Sequence, residues 1–172
     1  MRRPSKEEYA PYYEGYIKLV EGDDPLKIME IQGVKTYELL SGLTEEQGNI
    51  RYADGKWSIK EVIGHVMDTE RVMAYRALCF ARGEKQKLPG FEQDDYAAAA
   101  NFGRRRLHEI AAEFRLVRNS NLAMFKSFDE ETVNNIGNAN GKDTSVLAFM
   151  YIIAGHEIHH VNIIKEKYLK IT

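Results

Sequence analysis

Three of the chain's five histidines fall within five residues, in "AGHEIHHVNII" from Ala154 to Ile164. On a helix, His156 and His160 stand one turn apart on a single face, about 5–6 Å between their Cβ atoms. Ile152 and Ile153 precede them and Ile163 and Ile164 follow, so this face points into a core. Two inward imidazoles at this spacing can share one metal ion, and a catalytic site commonly adds a third protein ligand and keeps a position open. His65, in "WSIKEVIGHVMDTERV", is the candidate third ligand, because it sits on a different apolar segment with Val62, Val66 and Thr69 near its face. His159 is rotated off the 156/160 face, although its i+3 spacing to His156 keeps it as an alternative partner. A core histidine without metal is the competing interpretation, usually satisfied by a carbonyl or carboxylate. Burying three imidazoles that way requires partners for three donors and three acceptors, and each orphan costs about 1–3 kcal/mol.

Four segments with helical periodicity must position these residues. The first begins after Pro25, which suits an early helical position, and runs through "LKIMEIQGVKTYELLSGL", with "SGL" as its stop. The second opens at Ser58, where Ser58 and Glu61 form a capping box, and ends near Gly83. The third spans about 95–128, Ala-rich at its start. The fourth is "DTSVLAFMYIIAGHEIHHVNIIKEKYLK", with Asp143, Thr144 or Ser145 as cap and lysines in its last turns. No segment carries strand alternation. The expected fold is all-α, a four-helix bundle over one domain (1–172), with a short extra N-terminal helix in "EEYAPYYEGYIKLV" packed across it.

Composition narrows the function classes. A net charge of −2 gives no basic surface for nucleic acid or an anionic membrane. The tyrosines near the N-terminus lack interleaved basic residues and are assigned to packing. "GRRRLHE", which contains His108, is assigned to a solvated helix face. Cys79 is the lone cysteine, set in the apolar "RALCFA", so it is expected to be an inert core residue. "MRRPSKEEYAPYY" has no apolar stretch of a signal peptide, and no run approaches the roughly 20 residues of a membrane span, so the expected setting is cytoplasmic. No Gly-x-Ser-x-Gly elbow or phosphate-cradling glycine loop competes with the histidines.

The segments "RYADGKWSIKEVIGHVMDTERVMAYRALCFARGE", "LPGFEQDDY" and "AGHEIHHVNIIKEKY", in that order, resemble the DinB/YfiT-like superfamily. The resemblance covers nearly the whole chain. It implies a four-helix bundle with a long crossover, holding a divalent metal through three histidines: one from a W-S/T-x-x-E-x-x-x-H pattern and two from H-x-x-x-H. Trp57, Ser58, Glu61 and His65 match the first pattern, and His156 and His160 match the second. It further implies a metal-dependent enzyme that activates water, as a hydrolase, or a low-molecular-weight thiol such as bacillithiol, as a thiol S-transferase acting on small electrophiles. A homodimer is implied as well.

Around the expected tripod, Asp68, Glu157 and His159 are candidates to orient the ligands, with solvated carboxylates as the alternative for the two acids. Tyr52, Trp57 and Arg76 are candidate pocket residues, with packing or salt bridging as their alternative. Histidine-only ligation does not select one metal; zinc and nickel rank ahead of manganese and iron. Ligation by histidine predicts metal affinity that falls as pH drops through the imidazole range near 6.5. A non-catalytic metal-binding protein is the third reading, because no general base stands beside the histidines in the sequence.

Overall fold

The computed structural model describes residues 1–171. Four helices form the bundle: α2 (Pro25–Ser41), α4 (Ile59–Ala81), α6 (Leu107–Lys126) and α8 (Val146–Ile163). Short helices α1 (Glu14–Leu19), α3 (Glu45–Gly48), α5 (Gln93–Ala100) and α7 (Glu130–Val133) fill the connections, together with strands β1 (Ile136–Ala139) and β2 (Lys142–Ser145). Helix α2 packs mainly on α6, and α4 on α8.

The helix starts follow local chemistry. Asp24 caps α2 by accepting from the Lys27 amide, and Pro25 stands at its first position, where the missing N–H costs nothing. Ser58 caps α4, while Glu61 returns to the Ser58 amide at 2.6 Å. Ser145, of the three cap candidates, caps α8 by accepting from the Ala148 amide. Gly83, at φ +80°, follows the end of α4.

Two apolar clusters sandwich a polar layer. One holds Met29, Phe80, Phe125 and Phe149; the other holds Leu40, Ile63, Met67 and Phe114. Between them along the helices lie Thr36 on α2, Glu70 on α4, Arg118 on α6 and Glu157 on α8. Because the first cluster takes the start of α2 and α8 but the end of α4 and α6, the helices run up, down, down, up. The parallel pair α4 and α6 requires the long connection 82–106. Helix α8 is buried on all sides from Val146 to Glu157, as befits a segment apolar around its whole circumference.

Two expectations are corrected. The third segment is not one helix: α5 ends at Asn101, which adopts a left-handed conformation, and a 3-10 turn (Phe102–Arg104) precedes α6. The break turns Phe102 onto α4 at Gly64, where its ring occupies the space a Cβ would need. Strands also exist. β1 and β2 form an antiparallel hairpin turning at Asn140 and Gly141, both at positive φ, a two-residue turn that matches strand twist. The crossover loop joins it, with the Leu88 amide donating to the Asn138 carbonyl at 2.9 Å.

The N-terminal segment does cross the bundle as expected. Helix α1 lies on α8 where Gly155, lacking a side chain, admits the Tyr16 backbone. Past Ile163, α8 continues as a π-helical stretch (Ile164–Leu169). There the Tyr168 hydroxyl donates to the Trp57 carbonyl at 2.7 Å, tying the end of α8 to the start of α4.

Candidate metal centre

His65 on α4 and His156 and His160 on α8 converge. The His156 Nε2 lies 3.1 Å from the Nε2 of His65 and 3.1 Å from that of His160. The ligand atoms of all three fall within 4.8 Å of one another. Four nitrogens held tetrahedrally at about 2.0–2.1 Å from zinc are separated by about 3.3 Å, and ligands at right angles by about 2.9 Å. The two 3.1 Å separations lie between those edges and the third pair lies within 4.8 Å, so the three donors are close enough to share a single divalent ion.

The electrostatics favour a cation as well. Burial pushes the imidazolium form of His65 down to about 4. Burial, reinforced by His65 and His159, pushes His160 down to about 3. His156 is driven well below its ordinary 6.5 by burial and by its three histidine neighbours. All three are therefore neutral near pH 7, with lone pairs free to ligate. Proton competition accordingly belongs well below the value of about 6.5 expected from the sequence.

The surrounding residues sort plainly. Trp57 packs on His65, ring centroids 4.9 Å apart. The Thr69 hydroxyl faces the His65 Nδ1 at 3.5 Å. Tyr16 meets the His156 ring edge-on at 5.2 Å and His159 at 5.3 Å. His159 is half-buried beside His160 and does not join the convergent nitrogens. Arg76 lines the same cavity as His156, about 480 Å³ in volume, with Tyr13, Tyr16, Thr69, Met73 and Lys142 among its walls. Tyr52 stands apart, against Tyr168 and Lys167 at the protein surface.

The two acids expected beside the histidines are turned elsewhere by helix geometry. Asp68, one residue before Thr69, pairs with Arg71 at 3.3 Å, and burial raises its carboxyl above the ordinary value. Glu157 is neither solvated nor directed at a histidine. About 100° round α8 from His156, it accepts from Arg118 Nη1 at 2.6 Å and from the Thr36 hydroxyl at 2.6 Å. Arg118 also makes 2.7 and 3.0 Å bonds to Glu70 and a 3.0 Å bond to the Met29 carbonyl. Gly33 leaves room for it, since a Cβ there would stand 2.9 Å from its Cγ. Cys79 is half-buried and reduced, and His108 is exposed.

Tyr16 is the site neighbour that the histidine pattern does not announce, whereas Thr69 stands on the His65 face where the sequence put it. Gly155 immediately before His156 is the signal for the first: a glycine inside a buried helix marks a close backbone approach.

A family model for the DinB superfamily matches residues 29–164, and the chain belongs to that superfamily. Among solved structures, the fold is similar to YfiT from Bacillus subtilis, described as a probable metal-dependent hydrolase with an unusual four-helix bundle topology. That match has a TM-score of 0.74 at 13% identity and covers 96% of this chain and 95% of YfiT. It is also similar to the mycothiol-dependent maleylpyruvate isomerase, with a TM-score of 0.64 at 12% identity, covering 80% of this chain and 58% of that one. No curated protein matches the sequence. Among the described residues, no helix is long and apolar enough to cross a membrane.

Proposed function

We propose that residues 1–172 form one DinB-like domain in which His65, His156 and His160 hold a single divalent metal ion, and that it is a metal-dependent enzyme acting on small molecules. The observation that carries this reading is the convergence of three neutral imidazoles from two helices, with the His156 Nε2 3.1 Å from each of the other two and all three ligand atoms within 4.8 Å. Bound there, a divalent ion would supply Lewis-acid chemistry, lowering the pKa of a water or thiol in its open position. The protein's own part is to hold the donors and shape the approach. Trp57 and Thr69 fix the His65 ring, Tyr16 covers His156, and the cavity brings a small molecule to that histidine.

Thiol transfer to an electrophile is the preferred chemistry, supported by the mycothiol-dependent neighbour and by the absence of any carboxylate bonded to the three histidines among the described residues. A thiol ionised at the metal needs no general base to attack. Hydrolysis is the second reading, supported by the description of YfiT. Zinc or nickel is the proposed ion, ahead of manganese or iron; a cytoplasmic setting and a homodimer belong to the same proposal.

The test is turnover by protein loaded separately with each metal. Product from monochlorobimane that requires both metal and added cysteine-derived thiol supports the transferase. Ester hydrolysis with metal and no thiol assigns the hydrolase instead. Full metal loading with turnover in neither assay would leave a non-catalytic metal protein.

A further inference from the structure

Arg76 differs from every other buried cation of the protein. The residue is only 4% exposed, yet no carboxylate lies within ion-pair distance of it among the described residues. Arg118, equally buried, is matched by Glu70 and Glu157, and Lys60 by Glu45. Arg76 has the Pro89 carbonyl at 2.6 Å, the weak acceptor Met73 Sδ at 3.7 Å, the Phe91 ring 5.7 Å from its Cζ, and the neutral Tyr13 hydroxyl beside it. A guanidinium offers five donors in a planar fork, and these partners occupy it incompletely while leaving its charge uncompensated. Burying a charge is costly unless it is paired. Burial already pulls the Arg76 guanidinium below its ordinary value.

The cavity supplies the missing side of the interaction. His65, Thr69, Met73 and Arg76 follow one stripe of α4 at spacings of four, four and three, so Arg76 lies about 16 Å along the helix from His65. Its side chain bends back toward Met73, one turn nearer the histidines, leaving roughly 10 Å to span. Arg76 and His156 line the same space.

We propose that Arg76 recognises the carboxylate of a small ligand whose opposite, reacting end lies at His65, His156 and His160. A monoanionic group fits better than a phosphate dianion, because the exposed Glu92 and Asp94 also line the cavity. The inference deepens the metal-site reading and rests on it only for which end of the ligand reacts. Its test therefore uses metal-free protein.

Binding of glutarate, its neutral isostere glutaramide, and inorganic phosphate is measured by calorimetry on wild type, R76K and R76M. Wild type is expected to bind glutarate about tenfold or more tightly than glutaramide, the scale of a charge-assisted hydrogen bond. R76M should erase that preference and R76K keep part of it, since lysine retains the charge but not the fork. If R76M does not fold by circular dichroism, the wild-type preference and its partial loss in R76K decide. Equal affinity of wild type for glutarate and glutaramide, an unchanged preference in folded R76M, or binding of phosphate but not glutarate would each overturn the proposal. None of these results bears on metal content, so this inference and the metal reading can fail separately.

Discussion

His156 and Glu157 are neighbours in sequence, both buried on α8, and belong to opposite kinds of polar centre. Glu157 faces Arg118, Glu70 and Thr36 in a network that joins all four bundle helices. His156 faces two other imidazoles, its Nε2 3.1 Å from each of theirs. In the first centre burial alone would lower the Arg118 guanidinium, but Glu157 and Glu70 hold it above its ordinary value. In the second, burial holds every member below its ordinary value, reinforced at His156 and His160 by their histidine neighbours and opposed at His65 by Asp94. The difference separates two kinds of polar centre: one whose buried groups have complementary partners ties the helices together, and one whose donor nitrogens converge is the centre proposed to take a metal.

Breaking the first centre should have the largest effect on stability. Arg118→Met leaves two buried carboxylates without their cation, and is expected to cost about 3–5 kcal/mol in urea unfolding. Any R118M protein that does fold should still carry metal. A loss under about 1 kcal/mol would show that this network does not hold the fold, and selective loss of metal at full stability would show that the two centres are one.

The second centre should respond the other way. His156→Ala, which removes the nitrogen shared by both 3.1 Å contacts, should abolish metal binding and leave the metal-free fold close to wild type. The stabilisation wild type gains from metal, about 2.7 kcal/mol at a hundredfold excess over Kd, should vanish in H156A. Equal metal-induced shifts in thermal unfolding for the two proteins would contradict this.

Acid sharpens the contrast further. In metal-free protein the unfolded chain protonates its histidines near 6.5, whereas folded His65 and His160 resist until about 4 and about 3. Stability is therefore complete above pH 6.5 and falls as pH drops from there towards 4 and 3, by about 1.4 kcal/mol per pH unit for each histidine. Urea midpoints across this range should flatten in a His65→Ala/His156→Ala/His160→Ala protein, and an unchanged slope would place the acid sensitivity elsewhere.

The smallest expected effect lies at the cap of α4. Ser58→Ala should cost about 1 kcal/mol without changing metal content, because the helix start is a local device about two turns from His65. Metal loss in S58A at retained fold would show instead that the cap sets the ligand's position.

What the sequence disclosed follows the same division. The Ser58/Glu61 box, Pro25 at the start of α2 and the 156/160 spacing are local signals, each read within four residues and each present in the fold. Glu157 was illegible because its partners lie 39 and 121 residues away on other helices. The break at Asn101 hides in an Ala-rich helical pattern, and only the packing of Phe102 against Gly64 makes it necessary. The hairpin did have a local signal, Asn140-Gly141, but its short flanks carry no apolar alternation to mark them as strands. Tyr16 reaches the histidines through Gly155, a contact between segments far apart in the chain.

Whether the three histidines hold a metal is decided most directly by elemental mass spectrometry, on tag-free wild type and on H65A, H156A, H160A and H159A after reconstitution and removal of free metal. Near-stoichiometric divalent metal is expected in wild type and H159A, and its loss in the other three. A folded wild type that takes up no metal, or an H159A protein that loses it while H65A keeps it, would contradict the three-histidine centre.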